Sequence, residues 1–181
     1  KIAEGHLSLY QLTIEPGTEF HKKRIKAANE DIGAALYELT QEIMNNAGLP
    51  AYEISNHAKK GQESRHNLIY WRGGDYLGIG PGAHGRITHV YKTEMMHNYR
   101  EPEIWLNLAI TKKYGQQKRA TLSKEERRNE LVLMGLRLIE GISLDHFNSL
   151  TNQHLTKIID KDRINALADQ GYLTLNNTVL K

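Results

Sequence analysis

Apolar and polar positions near the start of the chain predict a strand, a helix and a second strand. Residues 7–12 mix apolar and polar side chains as a β-strand does, and a turn motif follows at residues 15–18. Helical spacing then relates the apolar residues Ile32, Leu36, Leu39, Ile43 and Ala47, with Asn29 suited to the N-cap and Gly48 to the stop. Residues 52–56 are the next strand candidate. This order predicts a βαβ unit with parallel strands and a helix that packs on one side.

The middle of the chain, residues 61–86, breaks all periodicity. It is rich in glycine and carries the aromatic residues Tyr70, Trp71 and Tyr76. These features predict a long irregular region or a set of short strands. Because long ordered loops are usually functional, we expect chemistry in this region.

After about residue 97 the pattern changes to well-capped helices. The first is predicted over residues 98–112, and residues 123–126 form a capping box that opens the next. The remaining predictions are a short helix capped by Ser143, a helix over residues 155–167, and a hairpin over residues 172–180 with an Asn-Asn turn. Three helices and a hairpin predict a winged-helix-like C-terminal domain.

Composition narrows the class of protein. Of the 181 residues, 39% are hydrophobic and 25% charged, and no apolar run approaches the roughly 20 residues of a membrane helix, so we expect a soluble protein. The chain has no cysteine, which excludes disulfides, zinc–thiolate sites and iron–sulfur ligation within it. Its first residues lack an initiator Met and a signal peptide, and we therefore expect a piece of a longer protein.

The net charge is only +3, yet basic residues gather in short clusters. Such clusters could contact the phosphates or carboxylates of a ligand, but in a chain this charged they are usually solvated helix faces. A nucleic-acid module is a further alternative if the winged-helix-like tail is taken at face value. The helix over residues 155–167 argues against it, because its basic residues are balanced by aspartates.

The densest group of chemically capable side chains lies in residues 65–86. An imidazole is the commonest axial ligand of heme iron, aromatic rings can stack on a porphyrin, and guanidinium groups pair with propionates. Glycines let the backbone approach a flat ligand, although Gly78, Gly80 and Gly82 match neither a dinucleotide fingerprint nor a phosphate loop. From these residues alone, a tight structural crossing of the backbone is the more frequent explanation.

Four segments, in this order, strongly resemble the oxygen-independent coproporphyrinogen III oxidase-like family of radical S-adenosylmethionine proteins. They occupy residues 10–18, 52–56, 65–71 with the pattern Arg-His-Asn-x-x-Tyr-Trp, and 73–84. The resemblance implies an α/β fold: residues 1–96 would be the C-terminal portion of a partial (β/α) barrel, and residues 97–181 a helical, winged-helix-like domain with a terminal hairpin.

The resemblance also implies roles for individual residues. In the family, the His-Asn-x-x-Tyr-Trp pattern marks a heme-binding branch, which carries heme contacts onto His66, Asn67, Tyr70 and Trp71, with His66 as the candidate iron ligand. The residues expected near S-adenosylmethionine are Tyr10, Gln11, Leu12, Thr13, Gly80, Gly82 and Ala83. The cysteines that hold the family's 4Fe-4S cluster have no counterpart in this chain.

Two further histidines are open to more than one interpretation. His84, inside the glycine-rich segment, is either a second ligand or a residue that hydrogen-bonds within a loop. His57 follows Asn56, where the family often has an aromatic residue, and it either adds an imidazole near the site or lies on the surface. We favour the surface for His57.

By the same resemblance, the longer protein binds heme, a 4Fe-4S cluster and S-adenosylmethionine, and delivers heme to acceptor proteins in the cytoplasm. This chain would supply the heme-proximal motif and the acceptor-facing domain, and would not by itself be a complete redox enzyme. The alternative is a coproporphyrinogen III dehydrogenase of porphyrin biosynthesis, against which the His-Asn-x-x-Tyr-Trp pattern argues. We expect no membrane span and no nucleic-acid partner, and an exposed sheet edge could pair two copies into a dimer.

Overall fold

The computed structural model describes residues 4–181. Its contacts divide into two compact units, one ending at Ser64 and the other beginning at Arg65. This division differs from the boundary predicted after residue 96, and the assignment of residues 1–96 to a barrel and 97–181 to a separate domain remains a prediction. The fold class is α/β, with both helices and strands in each unit.

The first unit contains a small sheet and one long helix. Its elements are β1 (His6–Ser8), α1 (Glu19–Lys22), α2 (Glu30–Asn46), β2 (Ala51–Glu53) and β3 (Asn56–Ala58), with strand order β1-β3-β2. Helix α2 is confirmed with its predicted ends: the Asn29 side chain accepts a hydrogen bond of 2.9 Å from the Ile32 N–H, and Gly48 has a φ of +71°. Glycine suits this position because it adopts positive φ without a steric cost.

The predicted parallel βαβ pairing is wrong in the first unit. Strand β3 lies between β1 and β2 and pairs antiparallel with both, through His6 with Ala58 and Ala51 with His57. The chain reverses at residues 54–55, inside the segment predicted as one strand. The Glu53 carboxylate holds this turn by accepting a 2.8 Å hydrogen bond from the Ser55 N–H.

The apolar face of α2 is exposed rather than packed, contrary to the prediction. The exposed fractions of Ile32, Leu36, Leu39 and Ile43 lie between 49% and 56%, while Met44 is buried. A 17-residue helix is about 25 Å long, whereas a three-residue strand spans about 10 Å. The three short strands of this unit are therefore too small to cover the helix.

The second unit contains a meander that the sequence pattern did not predict. Its strands β4 (His84–His89), β5 (Lys92–Asn98) and β6 (Gln116–Thr121) are antiparallel, with α4 (Pro102–Lys112) between the last two. The turn between β4 and β5 uses Val90 and Tyr91 at φ values of 43° and 62°, so the glycine or asparagine typical of such turns is missing. The helix predicted from residue 98 begins only at Pro102, because β5 continues to Asn98.

The tail of the second unit is mainly helical, as predicted. It contains α5 (Lys124–Gly135), β7 (Ile142–Ser143), α6 (Leu144–Thr151), α7 (Leu155–Ile158), α8 (Lys161–Asp169) and β8 (Val179–Leu180). The Ser123 capping box is present, and Ser143 caps α6. The single helix predicted over residues 155–167 is broken in two, because Asp160 accepts hydrogen bonds from the N–H groups of Asp162 and Arg163 and so starts a new helix.

The last residues form a hairpin, as predicted, and close the core of the tail. Leu175 bridges Leu180, and the Asn176 side chain accepts 2.8 Å hydrogen bonds from the N–H groups of Thr178 and Val179. Strand β8 also pairs with β7, a contact that the sequence did not indicate. The buried core cluster is Leu131, Ile142, Phe147, Leu155 and Leu180. Within residues 4–181, no helix has both the length and the apolar character that crossing a membrane requires.

Candidate functional site

The His-Asn-x-x-Tyr-Trp pattern lies on a short helix, α3 (Arg65–Trp71), inside the region predicted to be irregular. His66 and Tyr70 are one turn apart and share a face of α3. The Tyr70 hydroxyl lies 3.2 Å from His66 Nε2, and the two ring centroids are 4.7 Å apart. The ring of Tyr76 packs edge-on against Tyr70 at 4.3 Å. The structure therefore groups one imidazole with two phenol rings, and the imidazole is exposed.

Trp71 lies on a different side of α3 from His66, because five residues rotate a helix by about 140° beyond a full turn. The Arg137 guanidinium lies 4.4 Å above its ring, and the indole Nε1 is buried without a partner among the described residues. Trp71 lines an apolar cavity of about 370 Å³ together with Leu131, Leu138 and Phe147. The four motif residues thus do not form one patch: Asn67 and Trp71, one turn apart, are half-buried, while His66 is exposed.

Helix α3 is fixed to the helical tail by polar contacts at its C-terminal end. Arg72 makes two hydrogen bonds to the Glu140 carboxylate, of 2.7 and 3.0 Å, and the His146 ring lies 2.9 Å from the Arg72 carbonyl oxygen. The Arg127 guanidinium, 4% exposed, donates to the Gly73 carbonyl and to Glu130. The tail therefore sets the position of His66 through α3.

Gly73 also shows how closely α3 approaches the tail. Its φ is +69°, and a Cβ placed there would lie 2.0 Å from Leu131 Cδ2. Only glycine suits this combination of left-handed backbone and close contact. The glycines after the motif therefore have a structural role that the sequence left open.

The residues Gly78, Gly80, Gly82 and Ala83 form a loop that is tied to β5. The buried Asn98 side chain donates hydrogen bonds to the carbonyl oxygens of Gly78, at 3.2 Å, and Gly80, at 2.8 Å. A Cβ on Gly78 would lie 2.4 Å from the His84 carbonyl oxygen. These contacts agree with a tight backbone crossing, and the placement of S-adenosylmethionine near Gly80, Gly82 and Ala83 stays a prediction.

His84 stacks on a second histidine that the sequence analysis did not single out. The register of β4 and β5 places His84 opposite His97, with ring centroids 4.2 Å apart and planes 12° from parallel. His97 Nε2 is buried without a partner in the described part of the chain. Partial desolvation lowers the pKa of His84 although the residue is exposed, and His97, Arg86 and Arg100 lower it further. The pair depends on a strand register that the sequence pattern did not reveal.

The lowered pKa of His84 predicts a pH-dependent stability. The folded protein binds a proton at His84 less readily than the unfolded chain does. The contribution of His84 to the free energy of unfolding is therefore fully present above the unfolded pKa of about 6.5, and it is lost as the pH falls towards the folded pKa. We expect the free energy of unfolding in urea to decrease between pH 7.5 and pH 5.5. His84→Asn should reduce this dependence, and part of it should remain because the pKa of the buried His57 is lowered in the same direction. Identical slopes for His84→Asn and the wild type would contradict this assignment.

The residues expected near S-adenosylmethionine in the first unit line a second cavity, of about 390 Å³. Tyr10, Gln11 and Leu12 form part of its wall beside α2, whereas Thr13 does not. Tyr10 is 75% exposed and Leu12 53% exposed. The Gln11 amide donates to the Gly33 carbonyl oxygen at 2.5 Å, which fixes this segment to α2. We call this space the α2 cavity.

The Tyr-Glu-Ile-Ser-Asn segment, residues 52–56, forms a polar network around Glu53. Glu53 is fully buried and accepts hydrogen bonds from Ser55 and from the Asn56 amide, the latter at 2.6 Å. Asn56 in turn accepts a hydrogen bond from Ser8. His57 is only 1% exposed, so its interpretation as a surface residue is wrong. It lies in the central strand β3, between β1 and β2.

The described residues include several imidazoles but no larger cluster of metal-binding side chains. Residues 4–181 contain no group of three or more His, Cys, Asp or Glu side chains that could hold a metal ion. The sequence has no cysteine, so this chain does not fit a 4Fe-4S cluster. One exposed imidazole does fit heme iron, which needs only one or two axial ligands from the protein.

Comparison with known proteins gives a consistent result. Residues 122–181 match the family described as HemN C-terminal domain. Over 99% of its length the chain is 32% identical to a mitochondrial radical S-adenosyl methionine domain-containing protein 1 of Danio rerio, and over 97% it is 32% identical to the heme chaperone HemW of Haemophilus influenzae. It spans 43% and 44% of these relatives, less than half of each.

A solved structure supports the fold. The chain matches Escherichia coli coproporphyrinogen III oxidase (HemN), described as a radical SAM enzyme, with a TM-score of 0.71 and 13% identity. The match covers 97% of this chain and 44% of that one, and at this identity it shows the fold alone. The predicted resemblance is confirmed: the chain belongs, as a C-terminal part, to the oxygen-independent coproporphyrinogen III oxidase-like radical S-adenosylmethionine proteins.

Proposed function

We propose that this chain is the heme-contacting and acceptor-facing part of a heme chaperone, which carries heme to acceptor proteins. The observation that carries the proposal is the exposed His66 on α3, with the Tyr70 hydroxyl 3.2 Å from Nε2 and Tyr76 behind Tyr70. Relatives named heme chaperone HemW support it. An exposed site also suits a carrier, because cargo must leave as well as bind.

His66 supplies the iron ligand in this proposal. An unprotonated imidazole nitrogen binds heme iron, and the Tyr70 hydroxyl now beside Nε2 can release it at little cost, since an exposed hydrogen bond contributes only about 0.5–1.5 kcal/mol. The rings of Tyr70 and Tyr76 offer apolar surface to a porphyrin. Arg65, exposed at the start of α3, can pair with a propionate. Asn67 and Trp71 stay proposed heme contacts on the family pattern alone.

The longer protein would add the remaining cofactors. The proposal assigns the 4Fe-4S cluster and S-adenosylmethionine to a part of the longer protein that precedes this chain. Tyr10, Gln11, Leu12 and Thr13 of this chain would lie near the S-adenosylmethionine. We place the protein in the cytoplasm by the same proposal. The acceptor protein would meet the tail, whose helices α5, α6 and α8 with the 172–180 hairpin are consistent with a winged-helix-like domain.

The second candidate is a coproporphyrinogen III dehydrogenase, which the fold shared with HemN favours. Turnover of coproporphyrinogen III by a longer, cluster-loaded protein would distinguish it from a carrier. A nucleic-acid role gains no support from α8, where Arg163 lies 3.3 Å from Asp160 in an ion pair and Asp162 follows.

The test is a titration of the 181-residue chain with hemin, followed by Soret absorbance, beside metal-free protoporphyrin IX. We expect saturable hemin binding at one site with a shifted Soret band. Protoporphyrin IX should bind more weakly, because it lacks the iron that His66 would hold. Equal affinity for the two porphyrins, or no saturable binding by the folded chain, would overturn iron ligation as the basis of this function.

A further inference from the structure

The α2 cavity in the first unit has the properties of a separate binding site. Its volume of about 390 Å³ lies in the range of small-molecule sites, and most of its walls are apolar or aromatic. The walls include Leu9, Tyr10, Leu12, Leu36, Tyr37 and Ile54. Pockets of this kind usually bind through apolar contact and take their specificity from a few polar groups.

Two polar groups of this cavity are buried and have no partner within residues 4–181. They are His57 Nδ1 and Gln41 Nε2, and both residues line the cavity. His57 is 99% buried, since its exposed fraction is 1%. Leaving a buried donor or acceptor unsatisfied costs about 1–3 kcal/mol, so a molecule that bonded to both atoms would gain from each contact.

The chemistry of these two atoms defines the ligand. His57 hydrogen-bonds to the Leu49 backbone, which raises its pKa, but burial is the larger effect and the pKa is lowered overall. A neutral ring that donates one N–H to a carbonyl leaves the other nitrogen as an acceptor. His57 Nδ1 therefore accepts a hydrogen bond, whereas the Gln41 amide nitrogen donates one.

We propose that the α2 cavity binds a small, flat, largely apolar molecule that presents a hydrogen-bond donor beside an acceptor on one edge, as a primary carboxamide does. The donor would meet His57 Nδ1 and the acceptor Gln41 Nε2. Lys26, which also lines the cavity, would attract a carboxylate, but a carboxylate cannot donate the hydrogen bond that His57 Nδ1 accepts. A metal ion lacks the ligand set, since no group of three suitable side chains occurs in residues 4–181.

The site is independent of the proposed heme function. Its polar atoms come from α2 and β3 of the first unit, whereas His66 lies on α3 of the second. Replacing His57 by Phe removes the acceptor and should therefore remove the ligand specificity.

The experiment measures binding of 2-naphthamide and of its apolar analogue 2-ethylnaphthalene to the 181-residue chain by equilibrium dialysis. We expect 2-naphthamide to bind the wild type and to bind His57→Phe and Gln41→Leu about tenfold less tightly, because each variant leaves one polar group of the ligand unsatisfied. Binding of 2-ethylnaphthalene should be unchanged in both variants. Circular dichroism would verify that each variant is folded.

Three results would overturn the proposal. Equal affinity of 2-naphthamide for the wild type and both folded variants would exclude His57 and Gln41 as its partners. No binding of 2-naphthamide by the wild type would exclude the α2 cavity as its binding site. The cavity shares Tyr10, Gln11 and Leu12 with the expected cofactor region. Displacement of 2-naphthamide by S-adenosylmethionine would therefore identify the cavity as part of the cofactor site and overturn a separate ligand.

Discussion

His66→Ala should remove the axial-ligand shift of the Soret band and weaken hemin binding at least about 10–100-fold. Loss of a residue that merely supports a metal ligand typically has an effect of this size, and His66 would be the ligand itself. His66 is exposed and its described contacts are with Tyr70 on the same helix, so the substitution should leave the fold intact. The measurement is a hemin titration followed at the Soret band.

The matched control for His66 is His89, which is also exposed and lies in the same unit. We expect His89→Ala to bind hemin as the wild type does. Free imidazole added to His66→Ala should restore part of the Soret shift, because it can occupy the vacated position on the iron. Wild-type affinity in His66→Ala would exclude this residue as the ligand.

Arg127→Ala is expected to lower the free energy of unfolding by about 3–5 kcal/mol. Arg127 is 4% exposed, and its guanidinium donates to the Gly73 carbonyl and to Glu130, 2.8 Å away, which in turn binds Arg86. Removing one member of a buried charge network leaves the remaining charges only partly neutralised, and this typically lowers the free energy of unfolding by about 3–5 kcal/mol. Urea unfolding followed by circular dichroism would measure the change.

The same substitution tests whether the tail positions the heme motif. Arg127 contacts the end of α3, so its loss should loosen α3 and weaken hemin binding under conditions where the protein is still folded. Lys124, exposed on the same helix α5, provides the control, and Lys124→Ala should change stability by no more than about 0.5 kcal/mol. A similarly small change for Arg127→Ala would show that the network is dispensable.

Local sequence features predicted the elements that depend on local contacts. The N-cap of α2 at Asn29, the Ser123 capping box and the cap at Ser143 all occur as expected. A side chain that bonds to the backbone two or three residues away needs no knowledge of distant residues. The helical pattern continues across the break between α7 and α8, although Asp160 is itself a common capping residue.

Sheet pairing could not be predicted in the same way. The partners of β3 and the register that stacks His84 on His97 join residues far apart in sequence. The β4–β5 turn has neither glycine nor asparagine at Val90 and Tyr91, so no turn motif indicated it. His57 lies in the central strand β3 and is buried, so its prediction as a surface residue is wrong.

The sequence by itself determined the family, the absence of cysteine ligands and the candidate His66, because these depend on residue identity and order. Only the tertiary structure decided which candidates lie together: His66 with Tyr70 and Tyr76, Trp71 apart from them, and His57 inside a cavity. Side-chain direction is set by helix phase and strand register, and packing between distant segments fixes both.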